Sequence, residues 1–145
     1  LTWGWHALSP TGPFADGVAY GREGYSKVLV LMTDGQNNNA VTGNNNQSIY
    51  SGIGYIWQGR LGITSGSSTQ RRNKLDERLS VLCENVKAAG IVIYTIRLEL
   101  EGVDDTAIRN CASSPDKFFD VTNSNKLAAV FNRIAGDIQK LRVSK

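Results

Sequence analysis

The sequence is poor in the residues that do most catalytic and metal chemistry. Its 145 residues hold one histidine, His6, and two cysteines, Cys83 and Cys111. No G-x-S-x-G elbow accompanies that histidine, so no Ser-His-Asp arrangement can be built. The cysteine spacing fits no zinc pattern, and His6 adds little as a ligand. No apolar run reaches the roughly 18 residues of a membrane-spanning helix. The opening "LTWGWHALSP" has neither a basic n-region nor an A-x-A cleavage site, so it is not a signal peptide. No methionine precedes the apolar Leu1, which reads as a cut within a longer chain. No nucleic-acid-binding motif is present, and the net charge is only +3.

What is present suits one domain: 41% apolar and 20% charged residues, enough to bury a core and far from a disordered composition. Arg71, Arg72 and Lys74, with Arg60 upstream, form the densest basic cluster. A solvated loop-to-helix junction explains it better than a phosphate site. On composition alone, Cys83 and Cys111 are equally a disulfide or two buried thiols.

Hydropathy patterning predicts a short helix over 2–9, then a Pro- and Gly-rich loop over 10–24. Residues 27–33, "KVLVLMT", are too uniformly apolar for a half-exposed strand and predict one covered on both faces. Residues 36–72 predict a long Asn-, Gly- and Ser-rich loop or insertion, unusual enough in a small domain to carry a function. Within it Tyr50, Tyr55, Ile56 and Trp57 either pin the loop, as a small hairpin, or face a partner; pinning is favoured. An amphipathic helix follows over 73–89, its apolar stripe Leu75, Leu79, Leu82, Cys83 and Val86, with Gly90 as its cap. A buried strand over 91–98, a helix over 104–111, a strand over 117–121 and a helix over 124–142 complete the order. Alternating strands and helices imply an α/β fold with a parallel, doubly wound, Rossmann-like sheet. Three strands are few for such a sheet, so it is expected to be incomplete, with N-terminal strands missing.

Asp34 and Gly35 end the first strand. Ligands of open parallel sheets gather at the carboxyl ends of the strands, and Gly35 lets the backbone turn sharply there. A carboxylate at that point can bind a hard cation, attack as a nucleophile, or cap the turn. A phosphohydrolase nucleophile needs a second acid two residues on, where this chain has Gln36. The dipeptide alone favours the turn cap.

The segments "KVLVLMTDG", "WGWHALSP", "LCENVKAAGIVIYTIRL", "NCASSPDKFFDV" and "LAAVFNRIAGDIQKLRVSK" together resemble the C-terminal part of a von Willebrand factor A (vWA) domain, as found in TadG-like Flp pilus assembly proteins of bacteria. The resemblance implies a non-enzymatic protein-protein interaction or adhesion module in the periplasm or at the cell surface. Its partners would be pilus or envelope proteins, with no nucleic acid, and the membrane would be reached only through an anchor in the longer parent. It implies a metal-ion-dependent adhesion site in the complete domain, holding Mg²⁺ or Mn²⁺, with Asp34 as its last ligand. The D-x-S-x-S motif and the site threonine of that family do not occur in this chain and are expected upstream of Leu1. One carboxylate cannot supply the near-octahedral oxygen shell of Mg²⁺, so cation binding to the isolated chain is expected to be weak or absent. An absent first strand would expose an apolar parallel edge, so a companion N-terminal fragment or a homo-oligomer is expected. The compartment makes a Cys83–Cys111 disulfide the favoured reading. The loop following Asp34 would lie at the same edge, with Asn44, Tyr50, Tyr55 and Trp57 as candidate partner contacts. The alternatives are an aspartate-dependent phosphohydrolase of similar topology and a purely structural domain.

Overall fold

The computed structural model describes residues 1–99 and 106–143, with side chains as far as 140. Four α-helices and three strands are set out among them: α1 (Thr2–Leu8), β1 (Lys27–Thr33), α2 (Ser68–Ala88), β2 (Ile91–Leu98), α3 (Thr106–Cys111), β3 (Phe118–Val121) and α4 (Leu127–Val143). The first two positions of the helix expected over 104–111 lie outside the described residues. The strands form one all-parallel sheet in the order β1-β2-β3, as alternating strands and helices require. The chain divides into two compact units: Leu1–Gly35 with Ser80–Lys145, and Gln36–Leu79.

The first unit contains the sheet. Val28 pairs with Val92, and Ile96 with Phe119, which fixes two faces by the period-two alternation of strands. One face carries Tyr94, Ile96, Phe119 and Val121. Ile134 of α4 closes over them, with Leu127, Val130 and Ile138 beside it. These α4 positions follow the helical stripe read from the sequence. The opposite face carries the buried Leu29, Ile91, Ile93 and Thr95, and Gly4 of α1 lies against Leu29. Burial pushes the Tyr94 phenol above its ordinary pKa.

Two expectations are corrected in this unit. Strand β1 is not covered on both faces: Val30 is 39% and Met32 49% exposed. They share the face that α4 covers, but the α4 cluster is built on β2 and β3. The apolar run therefore records an edge strand with one open face, paired on one side only among the described residues. The last helix is also split, because Ser124–Lys126 forms a 3₁₀ turn before α4. The Asn123 side chain accepts from the Asn125 amide and caps that turn.

Ahead of β1, the ammonium of Lys27 donates to the carbonyls of Leu8 and Val18, which ties down the loop between them. Gly17 in that loop leaves no room for a side chain: a Cβ there would lie 2.3 Å from the Leu8 carbonyl oxygen. Cys83 of α2 and Cys111 of α3 form a disulfide, and both are buried.

In the second unit, the 36–72 stretch is an ordered body of irregular backbone rather than a structureless loop. It contains two isolated antiparallel bridges, Val41 with Ser48 and Ser51 with Gly54, the second where a small hairpin was expected. A 3₁₀ turn at Ile56–Gln58 follows. Helix α2 begins at Ser68, five positions before the apolar stripe suggests. The reason is a reciprocal capping box: the Gln70 amide donates to Ser67 Oγ, and Gln70 Oε1 accepts from the Ser67 amide.

Candidate functional site

All three strands end at one edge of the sheet, at Thr33, Leu98 and Val121. Asp34 follows Thr33 there. Its neighbour's hydroxyl closes the turn: Thr33 Oγ1 donates to the Gly35 carbonyl at 2.9 Å and accepts from the Gly35 amide at 3.2 Å. The Asp34 side chain is exposed and takes no part in that turn. The Asp-Gly dipeptide suggested that aspartate capped the turn; threonine does so.

Two other acids at this edge, among the described residues, are engaged. Arg97, in register with Thr33 on one side and Asp120 on the other, donates from Nε and Nη2 to the two carboxylate oxygens of Asp120, at 2.9 and 2.5 Å. This two-pronged bond sits on a largely covered guanidinium, so it locks β2 to β3 more firmly than an exposed pair would. The Glu99 carboxylate accepts from the Ser124 amide at 3.0 Å. Asp34 alone of the three carboxylates has no such partner among the described residues. No group of three or more histidine, cysteine, aspartate or glutamate side chains placed to hold a metal occurs among the described residues. Asp34 by itself cannot supply the near-octahedral oxygen shell of Mg²⁺.

The second unit is organised by a side chain that the sequence reading placed on a solvated junction. Arg71 is 1% exposed. Its Nε donates to the Gly66 carbonyl at 2.9 Å; its Nη1 donates to the Gln47 carbonyl at 2.7 Å, the Ala40 carbonyl at 3.2 Å and Asn39 Oδ1 at 3.4 Å. One guanidinium thus fastens three separate turns of irregular chain by their carbonyls, of which Gln47's also accepts from the Thr42 amide. Of the rest of the basic cluster, Lys74 pairs with Glu77 at 2.6 Å.

The candidate contacts of the loop are partly assembled. The Tyr50 and Tyr55 rings meet edge to face at 5.1 Å, and Tyr55 and Trp57 lie nearly parallel, with centroids 6.3 Å apart and 13° between planes. Tyr50 is 65% and Trp57 55% exposed. These two rings are not the pins of the loop; the buried Ser48, Ile56, Leu61 and Arg71 are. Ser48 Oγ accepts from the Ile56 amide at 3.0 Å, which anchors the start of the 3₁₀ turn. Asn44 is exposed and serves a local turn, its carbonyl accepting from the Gln47 amide at 2.9 Å. The asparagine that reaches the rings is Asn46, whose Oδ1 accepts from Trp57 Nε1 at 3.1 Å. Sequence reading missed it because three consecutive asparagines give no sign of which one turns inward.

No helix of the described residues is long and apolar enough to cross a membrane. Compared with protein-family models, curated proteins and solved structures, the chain matches none, so its family likeness rests on the sequence segments themselves.

Proposed function

We propose that this chain is the C-terminal portion of a vWA-like domain from a TadG-like pilus assembly protein, and that it works as a non-enzymatic binding module in the periplasm or on the bacterial surface. One observation carries the reading. Asp34 stands at the carboxyl end of a parallel edge strand, exposed and unpaired, while Thr33 holds the turn that the aspartate would otherwise be needed to close. A residue released from structural duty at the ligand-binding edge of an α/β sheet supports a cation-binding reading. In the longer protein, upstream oxygen donors would complete an Mg²⁺ or Mn²⁺ site. The cation would then accept an acidic side chain of a pilus or envelope partner.

The ordered unit that follows supplies the contact surface in this reading, with Tyr50, Tyr55, Trp57 and the neighbouring asparagines at its exposed side. The open edge and open face of β1, with Val30 and Met32, suit pairing with the upstream part of the domain or with a second copy.

Deleting residues 41–70 from the longer protein tests the role of this unit. The sheet and the Cys83–Cys111 bond, checked by circular dichroism and thiol titration, are expected to survive, and pilus assembly is expected to fail. Normal assembly by a folded deletion protein would reject the unit as a partner surface.

A further inference from the structure

The second unit has a chemistry unlike the rest of the chain. Between Asp34 and Arg60 there is no aspartate, glutamate, lysine, arginine or histidine, although 20% of the whole chain is charged. In their place stand six asparagines and three glutamines. The exposed Tyr50 and Trp57 rings, with Tyr55 between them, form the aromatic side of that uncharged surface. The rings are held in place: Asn46 fixes the Trp57 indole through its N–H, and Gln58 Oε1 accepts from the Tyr55 amide at 2.8 Å. Gly54, at φ 76°, lets Gln58 fold back, since a Cβ there would sit 2.0 Å from Gln58 Oε1.

We infer that this surface binds a neutral saccharide chain, with Trp57 and Tyr50 as stacking platforms and the amide nitrogens of Asn46 and Gln58, whose oxygens hold the ring residues, as hydrogen-bonding groups. A sugar ring offers an apolar face of C–H groups, which lies favourably on the electron-rich face of an indole or phenol. Its rim offers hydroxyls, each both donor and acceptor, which match the paired donor and acceptor of an amide side chain. Neither contact uses charge, and residues 35–59 carry none; the nearest cation is Arg60, whose guanidinium lies beside Gly54. A protein partner is the competing occupant. It would cover Val41 and Ile49 as well as the rings, and protein interfaces surround such aromatic anchors with a polar, often charged rim that residues 36–59 lack. The inference rests on reading this unit as a binding surface, and it requires no cation.

The test titrates the 145-residue chain with chitohexaose and with cellohexaose by calorimetry, with polygalacturonate as the charged control, in buffer containing EDTA. At least one neutral oligosaccharide is expected to bind with a dissociation constant of about 1 mM or tighter. Trp57→Ala is expected to weaken binding by about tenfold or more, and Trp57→Phe, which keeps a ring, by much less. Binding in the presence of EDTA separates this inference from the cation reading. If Trp57→Ala fails to fold, Tyr50→Ala decides, because that ring is largely in solvent. No binding of either neutral sugar, equal binding of polygalacturonate, or binding untouched by the ring variants would each overturn the inference. So would a protein partner that binds through the rings while the sugars do not.

Discussion

Arg71→Ala is expected to melt the Gln36–Leu79 unit while leaving the three-stranded sheet folded. The arginine is buried and bonds only to carbonyl oxygens, three from the backbone and one from Asn39. Hydrogen bonds to a charged donor contribute about 1.5–3 kcal/mol each, and a buried acceptor left bare costs a further desolvation penalty. The bonds act as one unit, so their energies do not add. The loss is set instead by the neutral acceptors left without a donor, at about 1–3 kcal/mol for each one that water cannot reach. A small unit without a β-ladder has little else to oppose it. Site-resolved hydrogen exchange reads the outcome: amides of residues 42–66 lose protection, and those of β1 and β2 keep theirs. Arg71→Lys keeps the charge but not the fork that reaches several carbonyls at once, so a smaller loss in the same amides is expected. Unchanged exchange in Arg71→Ala would mean that the unit is held together by something other than this side chain.

The second large effect concerns Cys83 and Cys111, which close a loop of 28 residues between α2 and α3. In the chain-entropy account, opening that loop costs about 3–4 kcal/mol by releasing the unfolded chain. The double variant Cys83→Ala with Cys111→Ala is expected to show this loss in its denaturant midpoint, with a steeper slope because the released unfolded chain exposes more surface. Alkylation of the unreduced protein is expected to add no mass. Two reacting thiols, or a midpoint unchanged on reduction, would contradict the disulfide.

The frame was legible in the sequence because its signals are periodic. The buried run of β2 gave its bounds to the residue, the stripe of α4 gave the end of that helix to within one residue but not its start, and Gly90 marked the end of α2. Strand β1 was legible as a strand but not as an edge. An unbroken apolar run reports residue type, not which neighbours cover each face, and Val30 and Met32 lie beyond the α4 cluster. The start of α2 was missed because Ser67 and Gln70 looked like ordinary loop residues, although S-x-x-Q is a capping box. The buried role of Arg71 was illegible: arginine is seldom fully buried, and its partners are carbonyls, which carry no sequence signal. At the candidate site, the sequence placed Asp34 at the strand end. It could not show that Thr33, rather than the aspartate, closes the turn.

The central claim is that Asp34 is a cation ligand of a larger domain. The direct measurement is the melting temperature of the longer protein with Mg²⁺ and with EDTA, beside its Asp34→Ala variant and the 145-residue chain alone. A cation held only by the folded state stabilises it by about 2.7 kcal/mol at a hundredfold excess over its dissociation constant. The account predicts that stabilisation in the wild-type longer protein, its loss in Asp34→Ala, and none in the isolated chain. No Mg²⁺ effect on the longer protein, an equal effect on the variant, or micromolar Mg²⁺ binding by the isolated chain would contradict it.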